Sequence, residues 1–518
     1  MRIDQTLFFF GVLSRVFSFN DPFVPIHALE GGQNPLARTE DLAFERWLDQ
    51  EQSIALDRLL ANVAPGGRNM EGMVPGVVIA SPSREHPDYY YQWIRDAAIT
   101  ISTLVRLYAE DPNPAEAPNL PKILRAYASQ QHNLQQSSNP SGGFFTGGLG
   151  EPKFHTDGSA FTDSWGRPQR DGPALRALTL IRYLRVYNDT NPALWSSGDP
   201  DVTHFFKLLY DASLPAISII KADLEYISNH WKHAGFDLWE EVQGLHFFTA
   251  MVQLRALSEG KEIARCFGDR GAAMWYAKQQ ENMEAFLKQF WDERKGHLVA
   301  TLGTPRSGLD CAILLGSIHG NPDADGDAEK LPLAYPPWSD EVLLSLLDLV
   351  KDQRNRFPIN TQASYSSDML EGVGIGRYPE DVYDGDGTSR GNPWFLCTAS
   401  ASEVLYRSLS YFARQGFLHV SGRGLRFWTA VNPEQISSPG NYSIQNPVLN
   451  STLVRLKLIS DGFLKALKRH VDTAGGMSEQ FDGITGFERG ARDLTWSYGA
   501  FLEAVNARRN AERVLATR

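Results

Sequence analysis

The chain has 518 residues, 42% of them hydrophobic and 21% charged, with a formal net charge of -11. That is ample for a full apolar core, and the acidic balance presents no basic face to a nucleic-acid backbone. No apolar run reaches the roughly eighteen residues that a bilayer span requires, and three cysteines allow at most one intramolecular disulfide and build no zinc or redox motif.

In chain order, residues 1–40 read as an N-terminal extension. The stretch "MRIDQTLFFFGVLSRVFS" has an early arginine, a short apolar run from Leu7 to Leu13 and small-residue spacing at Val16 and Ser18, the outline of a weak secretory signal. Arg15 and the shortness of the run leave open a plain extension or a segment packed on the domain. Sequons at Asn188, Asn441 and Asn450 suit a secreted protein, while the few cysteines leave a vacuolar or intracellular placement open. From residue 41 onward, apolar residues recur at three- and four-residue spacing. Helices are predicted over Asp41–Val63, Asp96–Tyr108, Pro121–Leu134, Pro173–Tyr187, Phe205–His230, Leu245–Phe267, Ala272–Trp291, a short segment after Gly308, Asp340–Lys351, Trp394–Arg414, Thr452–Val471 and Leu494–Arg508. Period-two alternation is nearly absent, so the class is all-α. Residues 41–518 form one domain, with no linker and no β-patterned module.

The joins between these helices are alternately short and elaborate. Three long ones, "GGLGEPKFHTDGSAFTDSWGRPQRDGP", "GRYPEDVYDGDGTSRGNPWF" and "GGMSEQFDG", are rich in Gly, Pro, Asp and aromatics, which end helices and place side chains over a rigid scaffold. A closed ring of helical hairpins with the long loops on one end fits this alternation. One short stretch stands out, "FDLWEEVQG" from Phe236 to Gly244. Three carboxylates around an indole suit a helix N-terminus, where the dipole favours acids and the tryptophan packs inward. They suit equally a carbohydrate site with one glutamate held protonated.

Five segments settle that choice by resemblance. "GVVIASPSREHPDYYYQWIRDAAIT" (Gly76 to Thr100), "GEPKFHTDGSAFTDSWGRPQRDGPALRA" (Gly150 to Ala177), "FDLWEEVQG", "VGIGRYPEDVYDGDGTSRGNPWFLCT" (Val373 to Thr398) and "MSEQFDGITGFERGARDLTWSY" (Met477 to Tyr498) together resemble the fungal glucoamylase family, glucan 1,4-α-glucosidase, over roughly Asp41 to Arg508. The resemblance implies an (α/α)6 barrel with a pocket at one end. It also implies exo-acting release of glucose from the non-reducing ends of starch, glycogen and maltooligosaccharides, α-1,4 bonds faster than α-1,6, without metal or cofactor and as a monomer. Glu240 matches the general acid and Glu479 the general base. Such a pair inverts the anomeric carbon and gives β-D-glucose, which requires carboxyl groups about 6.5 to 9.5 Å apart to seat a water. Glu241 and Asp237, being acidic, are expected to raise the pKa of Glu240 if they stay ionised nearby.

The same resemblance assigns substrate contacts. Arg95 and Asp96 match a pair that holds the hydroxyls of the terminal glucose, a guanidinium donating and a carboxylate accepting, and Arg377 matches a further sugar-binding arginine. Tyr89, Trp93, Trp165, Trp239, Trp394 and Trp496 match aromatics around the pocket, against whose faces the C–H faces of glucose pack. Asp237, Leu238 and Glu241 complete the set by their place beside Glu240. A structural ion pair remains the other reading of Arg95, Asp96 and Arg377, and supporting core that of Trp93 and Trp496. Two departures from the family stand out: only Cys397 occupies a familiar cysteine position, and no starch-binding domain follows, so raw granules are expected to be a poor substrate. A related barrel acting on trehalose or isomaltose, or a non-catalytic sugar-binding descendant, are the alternatives.

Overall fold

A computed structural model describes residues 35–193, 198–322, 333–361 and 370–518, with side chains from residue 41; the signal-like stretch lies outside the described residues. Among these residues the chain forms α1 (Pro35–Ala61), α2 (Ile94–Glu110), α3 (Leu120–Gln136), α4 (Gly172–Thr190), α5 (Pro200–Leu209), α6 (Ile219–His230) and α7 (Phe247–Cys266). It continues with α8 (Arg270–Leu287), α9 (Ala312–Gly320), α10 (Asp340–Arg356), α11 (Phe395–Gln415), α12 (Leu425–Val431), α13 (Pro447–His470) and α14 (Thr495–Ala516). No helix among the described residues is long and apolar enough to cross a membrane.

Packing sorts the long helices into two layers. Helices α2, α4, α7, α9, α11 and α14 each touch the next, and α14 touches α2, so the ring closes on itself. Outside it, α1 packs on α14, α3 on α2, α6 on α4, α8 on α7, α10 on α9 and α13 on α11. This is the (α/α)6 barrel. The layer of each helix follows from its apolar pattern. Helix α9 is buried on every side, from Ala312 through Ile318, as an inner helix must be. Helix α8 buries only the stripe Ala272, Ala273, Tyr276, Gln279, Met283 and Leu287, the single face of an outer helix. Where α9 crosses α7, Gly316 and Gly320 permit close approach, since a Cβ there would come within 2.8 Å of Phe247 and 2.7 Å of Met251.

Local chemistry fixes the helix ends. Ser339 caps α10 by accepting from the Val342 N–H, with Asp340 and Glu341 in the first turn and Arg354 and Arg356 in the last, which suits both ends of the dipole. Helix α11 stops at Gly416, whose φ of 61° is left-handed. The predicted helix Phe205–His230 is in fact two, α5 and α6, because Pro215 lies in the interval between them. The apolar pattern also passes over the short α12 and over an antiparallel hairpin pairing Phe417–Val420 with Gly440–Ser443.

Two long-range ties join neighbouring elements. Cys311, just before α9, forms a disulfide with Cys397 in α11, and Cys266 is the free cysteine. Between α4 and α6, Arg176 grips Asp223 through both guanidinium arms, Nε at 2.8 Å and Nη2 at 2.6 Å. Their side chains are 2% and 0% exposed, so neither charge has water to fall back on. Removing one member strands the other, at a cost of about 3 to 5 kcal/mol. Arg176→Met should therefore lower the denaturant-unfolding free energy at pH 7 by roughly that amount. A loss of under about 1 kcal/mol would mean that Asp223 is solvated or protonated in the native state.

Candidate active site

All six inner helices begin at the same end of the barrel, and the segments leading into them are tied together there. Tyr89, ahead of α2, donates to Glu479 Oε1, ahead of α14, at 2.9 Å and meets the Tyr383 hydroxyl at 3.1 Å. Arg377, ahead of α11, pairs with Glu241, ahead of α7, at 2.8 Å. The Trp239 indole N–H donates to Asp310, ahead of α9, at 3.0 Å, and Gln169, ahead of α4, donates to Glu240 at 2.8 Å.

The stretch "FDLWEEVQG" forms no helix N-terminus. It is the tip of a hairpin in which Gly235 and Phe236 pair with Gly244 and Gln243. Buried Asp237 braces the tip by accepting from the N–H groups of Glu241 and Val242, both at 2.8 Å. Glu240 takes a φ of 67°, a left-handed conformation that a non-glycine residue keeps only where its surroundings enforce it. Its Oε1 accepts from the Trp93 indole at 2.7 Å and from Gln169 Nε2 at 2.8 Å. Gln169 in turn accepts from Arg95 Nη1 at 2.8 Å, which fixes its amide the right way round. Arg95 is held by Asp171 at 3.0 Å and by Asp96 at 3.4 Å.

Glu479 is reached through a chain of contacts from Glu240. Trp93, bonded to Glu240, lies 5.5 Å from Tyr89 between ring centroids, and Tyr89 bonds Glu479. Glu479 is 1% exposed, and its loop is anchored by the hydrogen bond from its N–H to Ala491 O at 2.8 Å. A Cβ at Gly490, whose φ is 72°, would collide with Glu479 Oε2, so that position needs glycine twice over. Around these acids stand two groups of rings. Trp93 and Trp165 lie 6.0 Å apart, and Trp239 and Trp394 lie 5.4 Å apart with the Arg377 guanidinium 5.3 Å from each. The indole nitrogens of Trp165 and Trp394 are buried without a protein partner.

Of the residues singled out in the sequence, Tyr89, Trp93, Arg95, Asp96, Asp237, Trp239, Glu240, Glu241, Arg377, Trp394 and Glu479 share this connected end, and Trp165 joins it through Trp93. Leu238 and Trp496 are buried as deeply as Trp93, each 4% exposed, and lie in the same core cluster as Trp239 and Trp394. Trp496 meets the site through Arg95, whose guanidinium lies 5.8 Å from its ring. Arg377 is both things at once, a structural pair with Asp381 at 2.6 Å and a wall beside the tryptophans. Gln169, Asp171, Asp310, Tyr383 and Lys153 were not singled out. Gln169 and Asp171 lie within the quoted "GRPQRDGP", whereas Asp310 belongs to no quoted motif.

Electrostatics separate the acids. Burial pushes Glu479 up to about 7, against the Tyr89 hydrogen bond and the charge of Arg377. Burial also raises Asp96 to about 6 despite Arg95, with the charges of Glu240 and Asp171 adding to the rise. Asp310, likewise buried, is raised to about 8 in spite of the Ala312 and Trp239 N–H groups. Glu241 moves the other way. Burial would raise it, but Arg377, Tyr378 and Arg306 outweigh that and hold it below the usual range. Its charge, expected to press on Glu240, is thus engaged by Arg377 at 2.8 Å and Arg306 at 2.9 Å. Two glutamates linked through Trp93 and Tyr89, with aromatic rings around them, are what hydrolysis of a glycosidic bond can use.

Similarity to known proteins agrees with that chemistry. The profile of "Glycosyl hydrolases family 15" matches residues 53–506. The chain is 36% identical to a "Probable glucoamylase" of Schizosaccharomyces pombe over 92% of its own length and 94% of that protein's. It is 34% identical to "Glucoamylase, intracellular sporulation-specific" of Saccharomyces cerevisiae over 90% of its length and 84% of that protein's. Among solved structures, glucoamylase from Saccharomycopsis fibuligera superposes with a TM-score of 0.81 at 36% identity, covering 91% of this chain and 96% of that one. With the family profile running through every loop that builds the recess, this chain belongs to glycosyl hydrolase family 15.

Proposed function

We propose that this protein is an inverting, exo-acting glucan 1,4-α-glucosidase. It removes single glucose units from the non-reducing ends of starch, glycogen and maltooligosaccharides, cleaves α-1,6 bonds more slowly, and releases β-D-glucose. What supports the reading is membership of family 15 together with the chain of contacts that links Glu240 to Glu479 through Trp93 and Tyr89.

Glu240 is the general acid. Both of its protein donors converge on Oε1, which leaves Oε2 to carry the proton of the acid form. Glu479 is the general base. With its pKa near 7 it is a stronger base than an exposed glutamate, and catalytic efficiency favours such a value near the working pH. A water between Glu479 and the sugar attacks the anomeric carbon from the face opposite to the departing oxygen, which inverts it. Arg95 and Asp96 hold the terminal sugar's hydroxyls, Arg377 and Glu241 the next part of the chain, and Tyr89, Trp165 and Trp394 pack against C–H faces while excluding water. The enzyme acts as a monomer. Secretion is part of the proposal, supported by the signal-like N-terminus and by the sequon residues Asn441 and Asn450, both exposed.

Purified protein should release glucose one unit at a time from maltoheptaose, act on maltose faster than on isomaltose and leave trehalose intact. Proton NMR of the fresh product should show β-glucose first; α-glucose ahead of mutarotation would make Glu479 a nucleophile and end the inverting assignment. Glu240→Gln should lower kcat by roughly 100- to 10,000-fold with little change in KM, because proton donation is confined to the transition state.

The raised carboxyls also set how stability responds to pH. A carboxyl whose folded pKa exceeds its unfolded value favours the folded state while protonated and loses that contribution as pH rises through the folded pKa. Glu51, Glu479 and Glu488, all raised to about 7 chiefly by burial, and Asp310 near 8 titrate in this way. The lowered His132, His230, His246 and His470 and the lowered Lys153 oppose it in part. Unfolding free energy should therefore fall by about 1 kcal/mol between pH 7 and 8, with Asp310→Asn removing most of that net fall. A flat profile measured by chemical denaturation would mean that these carboxyls are already ionised at pH 7.

A further inference from the structure

Where α1 passes the loop that leads to Glu479, acids gather with little to balance them. Glu51 of α1 is 2% exposed, and its Oε1 is sealed from solvent with no hydrogen-bond partner. Its Oε2 lies against the loop, so close to Gly475 that a Cβ there would be 3.0 Å away. Glu488 stands on the short strand that pairs with Gln480–Phe481. Its Oε2 accepts from the Ser478 hydroxyl at 2.8 Å, while its Oε1 is likewise sealed and without a partner. Asp472 folds the loop back on itself by accepting from the N–H groups of Ala474 and Gly476, both at 2.7 Å. Asp493, ahead of α14, adds a fourth acid. Facing these is the Arg58 guanidinium of α1, which is engaged by Asp493 at 2.6 Å and by the Ala474 carbonyl at 3.0 Å. His470, at the end of α13, is lowered by burial and offers no charge at pH 7. A carboxylate oxygen with neither water nor a donor bears its full desolvation cost, so the folded state favours Glu51 and Glu488 as neutral acids.

We infer that Glu51 and Glu488 are positioning residues, a clamp that holds the Glu479 loop against α1 while both carry protons and loosens it when they ionise. The role of Glu479 as base rests on the reading above, whereas the clamp rests on packing alone. Its ties run along the loop. Glu488 holds the hydroxyl of Ser478, the residue before the base, and the Ser478 carbonyl accepts from Ser497 of α14 at 2.9 Å. One residue earlier, the Met477 N–H donates to the Tyr498 hydroxyl at 3.0 Å. Ionising either glutamate sets a bare charge in a sealed space beside Asp472 and the other glutamate, and water entering between α1 and the loop is what relieves it. Burial raises Glu51 to about 7 against the charge of Arg58, with Asp472 and Glu488 adding to the rise. Burial also raises Glu488 to about 7 against the Ser478 hydroxyl, with Asp472 and Asp493 adding to the rise. A carboxyl raised in this way stabilises the folded arrangement below its folded pKa and ceases to do so above it, so the clamp is closed at pH 6 and open by pH 8.

Hydrogen exchange followed by mass spectrometry reads the loop directly. After correction for the intrinsic rise of exchange with pH, the amides of residues 472–481 should lose about tenfold of their protection or more between pH 6 and 8, while those of α7 stay level. In the double variant Glu51→Gln with Glu488→Gln, whose side chains cannot ionise, protection over 472–481 should change by less than about twofold across the same range. Across that range kcat on maltose should fall by a larger factor in the unsubstituted enzyme than in the double variant, with KM nearly unchanged in both, because a loosened base is misplaced for the transition state rather than for binding. Protection that stays level in the unsubstituted protein, an equal loss in the double variant, or a loss shared by α7 would each overturn the clamp. Profiles of kcat that coincide would overturn its positioning role. Should the double variant fail to fold, the exchange profile of the unsubstituted protein still decides the matter. Failure of the underlying reading would look different, as no glucose release from maltoheptaose at any pH with the exchange pattern of the loop unaltered.

Discussion

Everything at the functional end follows from six parallel inner helices opening toward it. A helix N-terminus presents unpaired backbone N–H groups and the positive end of its dipole, and a closed ring of hairpins turns all six the same way. Carboxylates are drawn in as caps. Asp171 accepts from the first N–H of α4 at 2.8 Å and Asp310 from that of Ala312 in α9 at 2.8 Å, while Asp96 sits in the first turn of α2. The same arrangement makes it tolerable to bury several acids within one recess. The chain exploits that tolerance by suspending Glu240 and Glu479 on loops just outside the helix starts, where no cap consumes them.

Two opposite electrostatic strategies coexist within a few residues. Arg377 is clamped by Asp381 and Glu241, and Arg95 by Asp96 and Asp171, so these charges are matched pairwise. Glu479 and Asp310 have burial without an ion pair to match it and are pushed toward neutrality. Matched pairs give fixed geometry, since a bidentate guanidinium has little freedom. Unmatched acids give reactivity, because their proton is loosely balanced near neutral pH. The hairpin tip braced by Asp237 holds the Glu240 backbone at a φ of 67° and turns that carboxyl toward Trp93 and Gln169.

The sequence carries the ring of helices plainly, because inner and outer helices differ in how much of their circumference is apolar. It misleads where a polar or proline-bearing interval is short, as at Pro215, since periodicity on either side of Tyr210–Ser218 merges into one apparent helix. Glu240, Glu479, Arg95 and Arg377 are legible through long motifs that survive as blocks. Their supports are not. Gln169 touches Glu240 across 71 residues and Asp310 touches Trp239 across another 71, so nothing local marks them. Lys153 reads as an ordinary solvated lysine in "EPKF", and only folding brings four rings around it. Cys311 and Cys397, 86 residues apart, are paired by the neighbourhood of α9 and α11 rather than by any spacing rule.

The seam of the ring has a consequence for how the molecule comes into being. Helix α14 closes the circle against α2 and is covered on its outer side by α1, so the first and last helices of the barrel are mutual partners. Glu479 leads directly into that last helix, whereas Tyr89, Trp93, Arg95 and Asp96 leave the ribosome nearly four hundred positions earlier. A nascent chain short of α14 therefore lacks the helix that anchors the Glu479 loop and exposes apolar flanks of α1, α2 and α11 that have nothing to cover them. Such surface invites chaperones and aggregation alike. Competence arrives in a single late event, the docking of one helix, and until then the growing polypeptide passes through the cell as an inert, unfinished ring.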